Sequence, residues 1–180
     1  MKKSRQSDPD PEPDPESVAR AIALRRLAGA PQTRAQLDDA MRRRGVADDV
    51  RGTVLDRFGE VGLIDDAMFA EAWVESRHAG RGLAKRALAF ELRRRGVEPA
   101  VVDDAVSALV PEREEATAKA LVAARLAGTL GLEPAARTRR LAGMLARKGY
   151  PPGVAFRVVR DALTAEGVGE EQMPDQPADD

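Results

Sequence analysis

The side chains with the greatest capacity for chemistry in this 180-residue chain are basic. Many of them lie in three short segments, each of which ends in a basic residue followed by glycine, at Gly45, Gly96 and Gly149. Guanidinium groups bind carboxylates and phosphates through charge-assisted, often bidentate hydrogen bonds, so the chemistry they predict is anion recognition. The residues that we predict to contact an anionic partner are Arg42, Arg43, Arg81, Lys85, Arg86, Arg93, Arg94, Arg137, Arg139, Arg140 and Arg147.

Catalytic chemistry is poorly supported by the remaining side chains. The chain has no cysteine and one histidine, His78, which excludes a thiolate metal site and a histidine-based metal cluster. Asp65 and Asp66 would point about 100° apart on a helix, so a role at the start of a helix explains them better than metal binding. Gly80-Arg81-Gly82 lacks the lysine of a phosphate-binding loop. We therefore expect no enzyme activity, no metal and no cofactor.

The basic segments belong to a sequence unit that occurs three times. Each glycine is preceded, eight and four residues earlier, by the pairs Leu37 and Met41, Leu88 and Leu92, and Leu141 and Leu145. The glycines are 51 and 53 residues apart, which indicates one supersecondary unit repeated in tandem. Stacked repeats expose one long surface instead of a closed cleft, an arrangement typical of binding proteins.

The apolar period between the two ends of the chain is helical throughout, and it predicts an all-α fold with three helices per repeat. Thr33 is placed to cap the second helix of the first repeat, and Gly45 to end it. We expect the array to be elongated and curved. The predicted repeats are residues 17–60, with helices at 17–28, 33–44 and 47–59; residues 61–110, with helices at 65–78, 83–95 and 98–109; and residues 111–166, with helices at 111–127, 134–148 and 151–165.

Two interpretations of the arginine pairs remain open. If Leu37 lies at 0° on its helix, Arg42 and Arg43 lie near 140° and 240°, away from the buried stripe. Arg93 and Arg94 are their equivalents in the second repeat. A cation in the last turn stabilises the helix dipole by about 0.3 to 1 kcal/mol, and one is enough for that purpose. Eight basic residues occupy the three equivalent turns, so the sequence favours a surface that contacts a partner.

The net charge of −1 conceals a segregated charge distribution. Residues 17–166 contain 26 basic and 20 acidic residues, whereas residues 1–16 and 167–180 are acidic and rich in proline. We predict that these two ends are disordered and serve either as solubility tails or as acidic segments that shield the basic body. No apolar run approaches membrane-spanning length, and the first residues do not look like a signal peptide, so we expect a cytoplasmic protein without membrane contact.

The second repeat contains the most specific motifs. They are Gly62-Leu63-Ile64-Asp65-Asp66-Ala67, Phe69-Ala70-Glu71-Ala72-Trp73-Val74, Ser76-Arg77, Gly80-Arg81-Gly82 and Glu91-Leu92-Arg93-Arg94-Arg95-Gly96-Val97. Together with Leu24-Arg25-Arg26-Leu27, these motifs resemble the signature of the RecX family, and the resemblance extends over residues 18–165. Met68 departs from the pattern, which usually has a basic or polar residue there.

The resemblance implies a fold, a partner and an activity. RecX-like proteins are helical tandem arrays that bind RecA filaments on DNA and suppress ATP hydrolysis, strand exchange and coprotease activity, with no catalysis of their own. We accordingly expect a monomer whose partner is the RecA recombinase filament, with single- or double-stranded DNA as a further candidate. The alternative from the residues alone is a helix-turn-helix-like module that binds nucleic acid without RecA. Aromatic residues make up 3% of the chain, too few for binding that relies on base stacking.

Overall fold

The computed structural model describes residues 14–169, which form nine α-helices and one short 3-10 turn, without a strand. The all-α fold with three helices per repeat is therefore confirmed. The predictions for the two ends concern mainly residues 1–13 and 170–180, which lie outside the described residues. The helices are α1 (Pro15–Gly29), α2 (Arg34–Arg42), α3 (Asp48–Glu60), α4 (Asp66–Arg81), α5 (Lys85–Arg93), α6 (Pro99–Ser107), α7 (Pro111–Leu126), α8 (Pro134–Arg147) and α9 (Pro152–Ala165).

Local hydrogen bonds explain where the first two helices begin. Helix α1 starts two residues earlier than the sequence predicts, because the Asp14 carboxylate accepts a hydrogen bond from the backbone N–H of Ser17 at 3.1 Å. Bonds from the Ser17 hydroxyl and amide also hold the pKa of Asp14 below its ordinary value. Thr33 caps α2 as predicted, in a capping box whose other member is Gln36.

The second helix of each repeat ends in the same way. Gly45, Gly96 and Gly149 have φ values of 77°, 76° and 89°, in the left-handed region that favours glycine. The residue after each glycine donates back to a helical carbonyl, as in the 3.2 Å bond from Val46 to Met41. The three glycines thus reverse the chain at equivalent places and direct it into the third helix of the repeat.

The chain divides into two compact units between Asp65 and Asp66. The first unit contains repeat 1, in which α1, α2 and α3 enclose a core centred on Leu37 and Met41. Arg51 of α3 closes this unit from the side, because its guanidinium donates to Asp38 and to the carbonyl of Val46, each at 2.8 Å. The hydrogen bond from Arg51 to Asp38 is the main reason that the pKa of Arg51 is raised.

The second unit contains repeats 2 and 3, which are joined by backbone as well as side-chain contacts. The N–H of Ala84 donates to the carbonyl of Lys148 at 2.8 Å, and the Tyr150 hydroxyl donates to the carbonyl of Gly82 at 3.2 Å. Ala84 is fully buried and belongs to the apolar core of repeat 3. Gly149 lies so close to α5 that a Cβ there would be 2.5 Å from the backbone nitrogen of Ala87. Repeats 2 and 3 therefore pack as one body.

Polar side chains also connect α4 to α7 in this unit. Arg113 donates to both carboxylate oxygens of Glu75, at 2.8 and 2.6 Å, and this bidentate pair lowers the pKa of Glu75. His78 is buried, with Nδ1 donating to the carbonyl of Leu83 at 2.9 Å and Nε2 2.9 Å from the Thr117 hydroxyl. Both ring nitrogens of the single histidine are thus used in structural contacts. None of the helices over residues 14–169 has the length and apolarity required to cross a bilayer.

Candidate binding surfaces on the second helices

The basic residues of α2 are exposed, but one carboxylate neutralises much of their charge. Arg42 and Arg43 both form ion pairs with Asp39, the second at 2.5 Å. The hydrogen bond from Arg42 and the charge of Arg43 together hold the pKa of Asp39 below its ordinary value. A partner that binds this part of repeat 1 must therefore compete with an internal acid.

The corresponding faces of α5 and α8 lack such a carboxylate. Counting back from the repeat glycines, the tenth, sixth and second positions form one helical stripe. This stripe reads Ala35, Asp39 and Arg43 in repeat 1; Arg86, Phe90 and Arg94 in repeat 2; and Arg139, Gly143 and Arg147 in repeat 3. All four arginines of the last two repeats are exposed, and Phe90 is 61% exposed with the Arg94 guanidinium 5.8 Å from its ring centre. The stripe therefore has a net charge of +2 in repeat 2 and +2 in repeat 3, whereas its net charge in repeat 1 is zero.

The junction between repeats 2 and 3 brings the two basic helices together. The last turn of α8 lies against the first turn of α5, since Lys148 accepts from Ala84 and its Nζ donates to the carbonyl of Arg81 at 2.6 Å. We call the basic residues of the two segments that meet here, residues 81–86 and 147–148, the junction cluster; its members are Arg81, Lys85, Arg86, Arg147 and Lys148. Four of them were predicted from the sequence, and Lys148 was not.

Acidic groups already engage some members of the predicted set. Arg81 pairs with Glu91 at 3.4 Å, and Arg93 pairs with Asp103 at 3.0 Å. Lys85 is half-buried, and its backbone N–H donates to Glu114 at 2.9 Å. Within the predicted set, the cations without a hydrogen bond or an ion pair to other described residues are therefore Arg86, Arg94, Arg139, Arg140 and Arg147.

The placement of Arg137 on the exposed surface is wrong. Its side chain is buried, with Nε donating to the Thr129 hydroxyl at 2.9 Å and the guanidinium paired with Glu166. Arg137 occupies the first turn of α8 on the side that faces α7 and α9, so it joins the ends of three elements of repeat 3. Burial of a paired arginine explains why the residue is unavailable to a partner.

A second basic feature is the groove between the first and second helices of a repeat, here called the interhelix groove. Equivalent positions in the three repeats are found by counting from shared residues. On the first helix these are the fully buried alanines Ala19, Ala70 and Ala118, and on the second helix they are the repeat glycines. On the first helix the groove position is Ile22 in repeat 1, Trp73 in repeat 2 and Leu121 in repeat 3; on the second helix it is Ala40, Glu91 and Met144.

In repeat 2 the interhelix groove is filled by the chain itself. Two guanidinium groups lie over Trp73, with Arg95 at 3.7 Å and Arg77 at 4.2 Å from its ring centre. The indole Nε1 donates to Glu91 at 2.9 Å, and Glu91 also pairs with Arg81 at 3.4 Å. Burial lowers the pKa of Arg95. An aromatic ring and a carboxylate thus satisfy the arginines of this groove.

In repeat 1 the same groove is open. It forms a cavity of about 260 Å³ lined by Ile22 and Ala40 and by the guanidinium-bearing residues Arg25, Arg26, Arg43 and Arg44. Among the described residues, Arg25, Arg26 and Arg44 have neither a hydrogen bond nor an ion pair. The groove of repeat 3, about 330 Å³, is lined by Arg125, Arg140 and Arg147, but Met144 also lines it and packs against the core of that repeat.

Comparison with known proteins identifies the three repeats individually. The first, second and third three-helix domains of RecX match residues 19–58, 65–106 and 112–159. The regulatory protein RecX of Thermobifida fusca is 64% identical over 150 residues, covering 83% of this chain and 81% of that protein. The regulatory protein RecX of Mycolicibacterium smegmatis is 46% identical over 153 residues, covering 82% of this chain and 81% of that protein.

Two solved structures share the fold at lower sequence identity. The crystal structure of RecX from Lactobacillus salivarius superposes with a TM-score of 0.77 at 16% identity, covering 84% of this chain and 98% of the other. A second crystal structure, of a regulatory protein RecX, has a TM-score of 0.73 at 20% identity and covers 82% of this chain and 72% of the other. Both likenesses support the three-repeat helical architecture.

Proposed function

Because the chain belongs to the RecX family and is thereby a RecX-type regulatory protein, we propose that it binds RecA and RecA–DNA filaments and inhibits them. The inhibited activities would be RecA ATP hydrolysis, strand exchange and coprotease activity, in recombination, DNA repair and the SOS response. In this proposal the chain acts as a cytoplasmic monomer and has no enzymatic activity. The observation that carries the proposal is the basic stripe of repeats 2 and 3, which shares Arg86 and Arg147 with the junction cluster.

The proposed mechanism combines several modest contacts on one rigid body. The stripe contains Arg86 of α5 and Arg94 at the C-cap of that helix, together with Arg139 and Arg147 of α8. No carboxylate occupies the intervening position in either repeat. Since the backbone hydrogen bond from Ala84 to Lys148 joins repeats 2 and 3, binding through one repeat raises the effective concentration of the other at its own site. A body that contacts neighbouring filament subunits in this way would restrict their relative movement and slow the hydrolysis cycle.

The alternative function is binding to nucleic acid without RecA. The open guanidinium groups favour it, because arginine matches phosphate as well as carboxylate oxygens. The two functions differ in how affinity depends on the target. Binding of the labelled chain to naked single-stranded DNA, to free RecA and to assembled RecA filaments should be measured at one salt concentration. Preference for the filament supports the main proposal, whereas equal affinity for naked DNA supports the alternative.

The contribution of the stripe is tested by replacing Arg86, Arg94, Arg139 and Arg147 with glutamine in one variant. Exposed substitutions usually change stability by less than about 0.5 kcal/mol each, so folding should be retained. Filament affinity should fall, and its dependence on salt should become shallower, because fewer charge contacts remain to be screened. Filament binding and the inhibition of RecA ATP hydrolysis are the two readouts.

A matched control removes the same number of charges from first and third helices. Its substitutions are Arg20→Gln, Arg57→Gln, Lys119→Gln and Arg160→Gln, all at exposed positions. The control should retain most of the filament affinity, since only the net charge has changed. Equal losses in both variants would mean that binding follows overall charge, and the stripe would no longer be a specific surface.

A further inference from the structure

The interhelix groove of repeat 1 lacks the carboxylate that repeat 2 carries at the equivalent position of its second helix. In repeat 2 the position equivalent to Ala40 is Glu91, whose carboxylate lies within 3.8 Å of Arg77 and 3.4 Å of Arg81. In repeat 1 Arg26 is the equivalent of Arg77, whereas Ala30 replaces Arg81. The carboxylate is missing, because Ala40 has no polar side chain. The structure of repeat 2 thus shows that a carboxylate is a suitable ligand for arginines at this place.

The groove of repeat 1 also has room for a ligand from outside. Where repeat 2 has Trp73, repeat 1 has Ile22, which is buried and does not fill the groove. The cavity has a volume of about 260 Å³, and arginines make up four of the six residues that line it. Guanidinium groups bind carboxylates bidentately, and four arginines surround this cavity. One of them, Arg43, already pairs with Asp39. The chemistry therefore favours an acidic peptide.

The sequence before α1 has this composition. Asp8, Asp10 and Glu12 alternate with proline, and Pro13 alone separates Glu12 from Asp14, the cap of α1. From Pro15 to Arg26 the helix rises by about 17 Å, at 1.5 Å per residue. Six proline-rich residues extend over about 19 Å, at roughly 3.1 Å per residue, so a segment that folds back along α1 can reach the level of the groove. A tether this short gives an effective concentration in the millimolar range, on the order of magnitude typical of short linkers.

We propose that the acidic segment of residues 8–12 binds in the interhelix groove of repeat 1 and occupies it as Glu91 occupies the groove of repeat 2. The segment is then an intramolecular ligand that competes with anionic partners for Arg43 and its neighbours. This contact requires no RecA and no DNA, so the proposal can be tested independently of the proposed function.

The absence of cysteine from the chain makes a direct test possible. A nitroxide attached to Ser7→Cys of the whole chain should weaken the NMR amide signals of nearby residues at low ionic strength. The signals of Arg25, Arg26 and Arg43 should weaken more than those of residues in α4 to α9. Neutralising the segment with Asp8→Asn, Asp10→Asn and Glu12→Gln should restore these signals. The matched control uses the other acidic end. It places the label at Gln176→Cys and compares the protein with and without conversion of Asp175, Asp179 and Asp180 to asparagine.

A second variant fills the groove instead of changing the segment. Ile22→Trp with Ala40→Glu transfers the occupant of repeat 2 into repeat 1, and the loss of amide signal should disappear. If this variant does not fold, the neutral segment provides the decisive comparison. Signal loss that persists after neutralisation or in the folded filled variant, or that spreads evenly over all helices, would overturn the proposal. Loss seen only between labelled and unlabelled copies would assign the contact to a second molecule and also overturn it.

Discussion

Tyr150 is the residue whose ionisation reports most directly on the junction of repeats 2 and 3. It is 2% exposed, its hydroxyl donates to the carbonyl of Gly82, and it is the single tyrosine of the chain. Burial, together with the nearby charge of Glu114, raises the pKa of Tyr150 to about 12. The folded state therefore favours the neutral phenol, whereas the unfolded chain ionises near the ordinary pKa of about 10.

This difference predicts an alkaline loss of stability. The stabilising contribution of the neutral phenol is complete below about pH 10 and is lost as the pH rises towards 12. Tyrosinate absorbance of the folded protein should rise near pH 12, and in urea near pH 10, with circular dichroism used to verify folding. Tyr150→Phe should remove the part of the alkaline dependence that belongs to this group. A folded protein that titrates near pH 10 would contradict the placement of Tyr150 at a dry junction.

Individual residues also show which features the sequence could predict. The core positions Leu37 and Met41 are fully buried as expected, because their spacing is set by the helical period alone. The burial of Arg137 could not be predicted in this way, since its partner Glu166 lies 29 residues away and only the packing of α9 brings them together. Trp73 stacks on Phe69 with ring centres 5.7 Å apart, as their helical spacing indicates, but the two arginines over the ring depend on tertiary structure.

At the scale of elements, equivalent turns have different packing contacts in different repeats. Gly45 and Gly149 have similar positive φ values, yet a Cβ would meet nothing within 4 Å at Gly45 and would collide with the backbone of Ala87 at Gly149. The sequence predicts the left-handed turn, because a basic residue followed by glycine ends each second helix. The sequence does not show which of these turns is buried against another repeat, since that depends on how α8 meets α5.

Alanine at these two glycines should separate backbone strain from repeat packing. Gly45→Ala should cost about 1 to 2 kcal/mol, the usual price of a left-handed non-glycine residue. Gly149→Ala should cost roughly 1 to 3 kcal/mol more, because the backbone of α5 must move away. Urea unfolding of both full-length variants, followed by circular dichroism, gives the comparison. Equal losses of unfolding free energy would show that the turn of α8 tolerates a side chain and that the close approach is not required.

At the scale of the whole molecule, the three repeats are organised as one repeat plus a joined pair. Repeats 2 and 3 share a core through Ala84 and hydrogen bonds through Lys148 and Tyr150, and the boundary between the units falls at Asp65 and Asp66. The sequence predicts three equal units, because the period is nearly constant. The pairing arises from side chains outside the repeated pattern, such as Arg113 and Glu75, whose equivalents are not fixed by the helical period.

Hydrogen exchange in matched core variants tests this organisation. Met41→Ala and Leu145→Ala remove fully buried side chains at the same repeat position, each at a cost of about 2 to 5 kcal/mol. Because each compact unit is expected to open cooperatively, Leu145→Ala should lower amide protection across α4 to α9 and spare α1 to α3, and Met41→Ala should do the reverse. A loss of protection confined to α7, α8 and α9 in Leu145→Ala would mean that repeat 3 opens alone. The junction cluster would then come apart in native conditions, and the basic stripe could not act as the rigid surface on which filament binding is proposed to depend.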